Sequence, residues 1–247
     1  MGQGAGARNC VTILGVPIDQ VSMDQALNRI ENFIQEGGTH LVVTADANGI
    51  IIAQQDEGFR NLISQADLAT PDGAGVLWAA KRKGSAIKER VSGVDIVEKV
   101  CALSAQKGYR IYFLGAEPGI AELAGQKLTE KYPGCNIVGT HHGYFRAEDE
   151  MTIAQAVAAA QPDVLFVALG MPRQERFIQS TRPIIQAKVA VGVGGSFDVF
   201  SGKTKRAPKV MQAIHLEWMW RLLLNPSKFA KVKNLPKFAI KVLGDRS

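Results

Sequence analysis

Asp72 stands between Pro71 and Gly73 in the run Thr70-Pro71-Asp72-Gly73-Ala74-Gly75, just ahead of a helix-period segment. A carboxylate so placed can take a proton from a substrate hydroxyl, and the glycines let a ligand approach the backbone. An aspartate at a helix start is also a common N-cap, so both roles stand at this point. Four further runs carry similar equipment. Thr44-Ala45-Asp46-Ala47-Asn48-Gly49 offers a hydroxyl, a carboxylate and an amide, and Gly115-Ala116-Glu117-Pro118-Gly119 opens a helix in the manner of a diphosphate cradle. Gly170-Met171-Pro172-Arg173-Gln174-Glu175 places Gly and then Pro at a helix start, with an arginine and an amide that can bind an anion or a sugar. Gly192-Val193-Gly194-Gly195-Ser196-Phe197-Asp198 places a carboxylate behind a glycine turn, where it can hold ribose hydroxyls. Each alone reads as a tight turn. Together they point to a shared ligand pocket.

Other signals are missing. The chain has no Asp-x-Asp pair, no GxGxxG fingerprint, no Walker lysine and no Gly-x-Ser-x-Gly elbow. Glu148-Asp149-Glu150 reads as first-turn charge on a helix, and His141-His142 would point to opposite faces of a strand. Cys10, Cys101 and Cys135 are scattered, which suits a reduced cytosol and supplies no metal or disulfide framework.

The elements that must position these loops are legible as apolar, β-branched runs between amphipathic stretches. His40–Thr44, Arg110–Leu114, Val164–Leu169 and Lys188–Val193 read as buried parallel strands, with shorter ones at Asp67–Thr70 and Asn136–Thr140. Helical periodicity falls near 22–36, 74–83, 94–107, 118–131 and 148–161. This alternation predicts an α/β fold, Rossmann-like, with a mainly parallel sheet covered by helices on both faces. In such a sheet ligands gather beyond the carboxyl ends of the strands, where all five runs lie.

From Ala207 the pattern turns wholly helical, roughly 208–224 and 226–243, with breaks expected at Asn225-Pro226 and Pro236. Charge divides at the same place: residues 1–202 carry 18 Lys and Arg against 21 Asp and Glu, while residues 203–247 carry 11 against 2. The division predicts a catalytic domain over 1–202 and a basic helical appendage over 203–247. Phe229, Val232, Leu235, Phe238, Ile240 and Val242 interleave with Lys228, Lys231, Lys233, Lys237 and Lys241, the pattern of a helix lying in a membrane surface or of one docked on its own domain with a lysine face in water. No run approaches the roughly 18 apolar residues of a membrane span, and the first ten residues lack the apolar segment of a secretory signal, so a soluble or peripheral protein is expected.

Thr70-Pro71-Asp72-Gly73-x-Gly75, Glu89-Arg90-Val91-x-Gly93, Phe113-Leu114-Gly115-Ala116, Gly139-Thr140-x-x-Gly143-Tyr144-Phe145, Ala168-Leu169-Gly170-x-Pro172-x-Gln174-Glu175 and Val193-Gly194-Gly195-Ser196-Phe197-Asp198, taken together, resemble the WecG/TagA/CpsF family, glycosyltransferase family 26. The matches run in order from Gly15-Val16-Pro17-Ile18 to Glu217-Trp218 and Arg221, and are most similar to its TagA-type N-acetylmannosaminyltransferase branch. The resemblance implies an inverting, metal-independent transfer of N-acetylmannosamine from UDP-ManNAc to undecaprenyl-diphosphate-linked GlcNAc, in wall teichoic acid linkage-unit synthesis. Asp72 would be the base, and Arg221 would neutralise the leaving diphosphate. Thr44, Asp46, Asn48, Arg90, Tyr144, Gln174, Lys203 and Arg206 are the expected substrate-binding residues. Gly115, Ala116, Gly170, Gly194, Gly195, Ser196, Phe197 and Asp198 are expected to hold the nucleotide. Where many members have Thr-x-Asn-x-Glu, this chain has Thr44-Ala45-Asp46-Ala47-Asn48, which sets a second carboxylate near the sugar.

The expected partners are a UDP-N-acetylhexosamine donor, a polyprenyl-diphosphate-linked sugar acceptor and an anionic membrane surface, with no nucleic acid, metal or cofactor. A homo-oligomer is compatible with these features, and the expected location is the cytoplasmic side of the plasma membrane, peripherally attached. Two donors within the class stay open, a ManNAc uronic acid and another hexose, for capsule, exopolysaccharide or common antigen. A nucleotide-binding oxidoreductase would use the same layout, but it calls for the glycine fingerprint that is absent. A basic nucleic-acid or membrane-binding module would leave the five loops unexplained.

Overall fold

The structure is a computed structural model that describes residues 8–208, 211, 220 and 234–245. It opens with a hairpin, Cys10–Ile13 (β1) and Val16–Asp19 (β2), turned at Leu14 and Gly15, both with positive φ. This pair of left-handed residues matches the twist of its strands. Helix Met23–Gln35 (α1) follows behind a capping box of Ser22 and Gln25.

Six strands then form one parallel sheet: His40–Ala45 (β3), Leu68–Pro71 (β4), Arg110–Gly115 (β5), Asn136–His141 (β6), Val164–Ala168 (β7) and Val189–Gly192 (β8). Their order across the sheet is β4-β3-β8-β7-β5-β6. The helices between them are Ala47–Ala53 (α2), Glu57–Ser64 (α3), Ala74–Arg82 (α4), Gly93–Lys107 (α5), Ile120–Lys131 (α6), Glu150–Ala159 (α7), Arg173–Ile185 (α8) and Ser196–Phe200 (α9). Asn234–Gly244 is labelled α10.

Alternate residues of each strand enter two separate cores. Leu41, Val43, Leu114, Leu165, Val167 and Ala190 pack under α2, α3, α4, α7, α8 and α10, whereas Val42, Phe113, Phe166 and Val191 pack under α1, α5, α6 and α9. Both faces are therefore apolar. That is why the strands read in the sequence as continuous apolar runs rather than as an alternation. The parallel α/β expectation holds, and the strand and helix positions agree to within a few residues. The hairpin and helices α2, α3 and α9 have no counterpart among the expected elements, while α8 begins behind Pro172, where a helix start is expected, and runs on to Ile185.

The appendage differs from expectation in one respect. Pro236 does not break a helix; it occupies the first turn of α10, where its missing N–H is not needed. Phe238 and Val242 of α10 are buried in the core beneath α2 and α4. Of the stretch expected at 208–224 only Pro208, Met211 and Trp220 are described, and the break expected at Asn225-Pro226 and the rest of the second stretch before 234 lie outside the described residues.

One buried ion pair fixes the edge strand that carries Asp72. Asp19, fully buried at the end of β2, pairs with Arg8 at 2.5 Å and Arg29 at 3.0 Å and accepts the N–H of Ala69 in β4 at 2.7 Å. Burial alone would raise its pKa, but the bonds from Arg8, Ala69 and Arg29 outweigh it and hold the carboxyl below its ordinary value. Asp19→Asn should cost about 3 kcal/mol of stability at neutral pH, because two arginines lose their counter-charge. Since the folded pKa is depressed, the carboxylate's contribution is present above the unfolded value and is lost as pH falls through the folded one. Thermal unfolding of both proteins from pH 7 to pH 2 should show the gap closing in acid; a constant gap would contradict this account.

Candidate active site

Because the sheet is parallel, the ends of all six strands lie along one edge, and the loops that follow them form a continuous ledge. The loop after β5 passes over the end of β7, with Ala116 N–H donating to Ala168 C=O at 3.0 Å. Only glycine serves at position 115, where φ is 129° and a Cβ would lie 2.4 Å from the Ala168 carbonyl oxygen. The chain leaves β5 toward α6 on one face and β7 toward α8 on the other. Between these diverging ends opens a cleft of about 750 Å³.

Ala116, Tyr144 and Asp198, expected at the nucleotide and sugar, line this cleft together with Glu117, Phe145, Arg146, Asp149 and Arg173. Arg173 is a strut: its guanidinium donates to the carbonyls of Gly143 at 3.0 Å and Phe145 at 2.8 Å and lies 4.6 Å over the Phe145 ring. Tyr144, 66% exposed, stands at the mouth with its ring open to a flat partner. The aromatic faces of Tyr144 and Phe145 suit a base, Arg146 an anion, and the Asp198 carboxylate a pair of ribose hydroxyls.

Asp72 lies at the other end of the ledge. Its backbone N–H donates to Ala45 C=O at 3.0 Å, and its Oδ2 accepts the N–H of Gly93 at 3.3 Å, at the start of α5. The helix after it is capped by Gly73 with no side-chain bond, so Asp72 is not the N-cap that its setting allowed. Asp46 takes that role on α2, accepting the N–H of Gly49 at 2.7 Å. Asn48 accepts from the Asn234 side chain at 2.7 Å, which brings α10 to this end of the ledge. β4 and β5 stand four strand positions apart, so the ledge from Asp72 to the cleft spans roughly 19 Å.

Several residues expected at a ligand are instead turned inward. Thr44 is buried and donates to Gly192 C=O at 2.8 Å. Gln174 is fully buried, its Oε1 accepting the N–H groups of Gly170 at 3.1 Å and Gly194 at 3.0 Å. Ser196 donates to Val193 C=O, and Phe197 stacks on Phe113 with ring centroids 4.5 Å apart. For Thr44, Gln174 and Ser196 the reason is shared, since tight loops over a sheet end carry buried backbone groups that must be satisfied locally, whereas Phe197 is held by packing in the core.

The cations differ from expectation too. Lys203 pairs with Glu117 at the cleft, which raises the Lys203 pKa. Arg206 pairs with Asp95 and lies 3.5 Å from Glu98, while Arg90 reaches the same Asp95 at 3.3 Å. Burial pushes the Asp95 carboxyl up, but Ser92, Arg206 and Arg90 bring it below its ordinary value. Arg206, expected at the substrate, thus ties the appendage to α5. Gly195 opens α9 beside Asp198. Arg221, Glu217 and Trp218 lie outside the described residues.

Burial drives Glu175 up to about 7 against the pull of the Gln174 bond, with Asp46 adding to the rise. Its neutral form suits the fold, so its contribution is fully present below about pH 4 and is lost as pH rises through about 7.

A doubly wound parallel sheet with a cleft at its switch point places this chain among the open α/β proteins that take ligands beyond the carboxyl ends of their strands. The model of the glycosyl transferase WecG/TagA/CpsF family matches residues 11–247, and the chain belongs to that family of glycosyltransferases. It is 37% identical over 211 residues to the N-acetylglucosaminyldiphosphoundecaprenol N-acetyl-beta-D-mannosaminyltransferase of Bacillus spizizenii, covering 85% of this chain and 81% of that one. Proteins of the same name from Bacillus subtilis and Staphylococcus aureus are each 32% identical, over 94% of this chain and 90% and 91% of theirs.

In a sixth loop, Gly143 to Arg146 after β6, the family resemblance covers Gly143-Tyr144-Phe145 and expects Tyr144 alone at a ligand, but Phe145 and Arg146 line the cleft as well. Arg173→Lys removes the fork that holds this loop. Loss of one charge-assisted bond, about 1.5 kcal/mol, should speed amide exchange at Gly143–Arg146 about tenfold while the sheet amides stay protected; equal exchange would show the strut to be idle.

Proposed function

We propose that this chain transfers N-acetylmannosamine from UDP-ManNAc to GlcNAc on undecaprenyl diphosphate, by a single inverting displacement that needs no metal, in the synthesis of a wall teichoic acid linkage unit. One observation carries the reading: the ledge has a nucleotide-sized cleft at one end and Asp72, anchored by Ala45 and Gly93, at the other. The names of the relatives supply the sugar and the acceptor.

In this reading Tyr144 and Arg173 frame the base, and Asp198 accepts from the ribose hydroxyls. The donor's diphosphate lies along the glycine loops at Gly115, Gly170 and Gly194, which brings the anomeric carbon toward Asp72. The acceptor hydroxyl oxygen attacks that carbon as its bond to the diphosphate breaks. The proton passes to Asp72 and the electron pair leaves on UDP. Arg221 is assigned to the charge that develops there, the task a cation held by an Asp-x-Asp pair performs in other transferases. We assign residues 1–202 to catalysis and 203–247 to membrane attachment and completion of the site.

The surface of α10 supports peripheral attachment. Ile240 and Leu243 are 70% and 56% exposed, Lys237 and Lys241 stand among them, and the neighbouring α4 exposes Trp78, Lys81 and Arg82. Apolar side chains ringed by cations suit an anionic bilayer surface. No helix among the described residues is long and apolar enough to cross a membrane.

Asp72→Asn should lower turnover of UDP-ManNAc with a soluble lipid-linked GlcNAc analogue about a thousandfold while UDP affinity stays unchanged. Turnover within about tenfold of the parent would remove Asp72 from the base role. For attachment, Ile240→Asp with Leu243→Asp alters two exposed positions. Sedimentation with anionic vesicles should fall about tenfold or more at constant melting temperature; undiminished binding would take α10 out of the membrane contact.

A further inference from the structure

Glu175 takes no part in the chemistry above, yet it is fully buried, and its Oε2 finds no hydrogen-bond partner among the described residues. Its Oε1 accepts from Gln174 Nε2 at 2.7 Å. At the other end of that amide, Oε1 accepts from Gly170 and Gly194, on the loops after β7 and β8. A side-chain amide has an acceptor end and a donor end of nearly equal size, so its pose is set by what each end meets. Two backbone N–H groups at one end and a carboxyl oxygen at the other satisfy it in a single pose. Remove the carboxyl, and a buried NH2 group is left without an acceptor. The side chain then relaxes at the expense of the two glycine bonds.

The strand makes room for this pair. A Cβ on Gly192 would lie 2.5 Å from Gln174 Nε2 and 2.9 Å from Glu175 Oε1, so β8 ends without a side chain where the pair sits. Thr44 grips the carbonyl of the same glycine from β3. The Gln174–Glu175 pair thus sits against the end of β8, between the loops after β7 and β8, and Thr44 of β3 holds the same glycine from the other side.

The geometry points to Glu175 as a positioning residue for the donor site: its carboxyl orients the Gln174 amide, which ties the loops after β7 and β8 at the spacing the nucleotide-sugar needs. What binds there rests on the function proposed above; the tie itself does not. Glu175 touches no substrate.

Three proteins test it: the parent, Glu175→Gln, which keeps an acceptor oxygen, and Glu175→Leu, which does not. Amide exchange at Gly170 and Gly194, read by NMR without ligand, should be about tenfold faster in Glu175→Leu and near parental in Glu175→Gln. In turnover assays Glu175→Leu should raise the KM for UDP-ManNAc about tenfold with kcat within about threefold, and Glu175→Gln should restore it. Unchanged exchange in Glu175→Leu, or equal loosening in Glu175→Gln, would overturn the proposal. If the parent fails to use or bind the UDP-sugar, the donor reading falls while exchange still judges the tie. Should Glu175→Leu not fold, Gly192→Ala drives a Cβ into the amide: faster exchange at both glycines supports the tie, and unchanged exchange overturns it.

Discussion

Four residues join the two halves of this sheet. β8, Val189–Gly192, pairs with β3 on one side and β7 on the other, and without it β4-β3 and β7-β5-β6 would be separate sheets. Val189 and Val191 enter one core and Ala190 the other, so this strand also closes both layers. A parallel strand needs a crossover to reach its neighbour, and here the crossover is α8, whose first turn supplies Gln174 and Glu175. The helix that brings β8 into place therefore also brings the amide that ties its loop. The same helix thus serves both the sheet and the ledge.

The sequence exposed the strands because burial on both faces made them continuous apolar runs. It could not show their order, since β3 and β8 are far apart in the chain and both look alike. The hairpin escaped because its strands are four residues long and Pro17 weakens the second. Helix α8 is legible at its start, behind Pro172, but not in its extent, because Pro183 interrupts its periodicity. At the site, the strand-end loops were legible as a set, since their glycines and polar residues recur at corresponding places. Which side chains face a ligand was not legible. Thr44, Gln174, Ser196 and Phe197 have the chemistry of binding residues, and the fold uses them to satisfy or cover its own backbone. Arg173 shows the converse, an apparent anion ligand whose nitrogens hold two carbonyls of a neighbouring loop.

The charge division in the sequence also acquires a structural meaning. The basic appendage does not stand apart from the mildly acidic body: Lys203 pairs with Glu117, Arg206 with Asp95, and at the far end Asp245 pairs with Lys83 at 2.9 Å. Partly exposed pairs of this kind contribute little stability each, commonly up to about 1 kcal/mol. Their effect is on register. The holding force is apolar, with Phe238 and Val242 buried to 1% and 2% exposure, each worth about 2 kcal/mol.

The place where α10 is held matters more than the strength of the hold. It rests on α2 and α4, whose first turns follow directly on Asp46 and Asp72. Phe238 packs beside Gly75 and Ala47: a Cβ at position 75 would meet the Phe238 ring at an ordinary 3.5 Å and the Ala47 Cβ more tightly, at 3.3 Å. Asn234 bonds to Asn48 one turn along. α10 therefore shares one apolar layer with the two helices that follow the Asp46 and Asp72 loops, and the packing that sets their positions also sets its own.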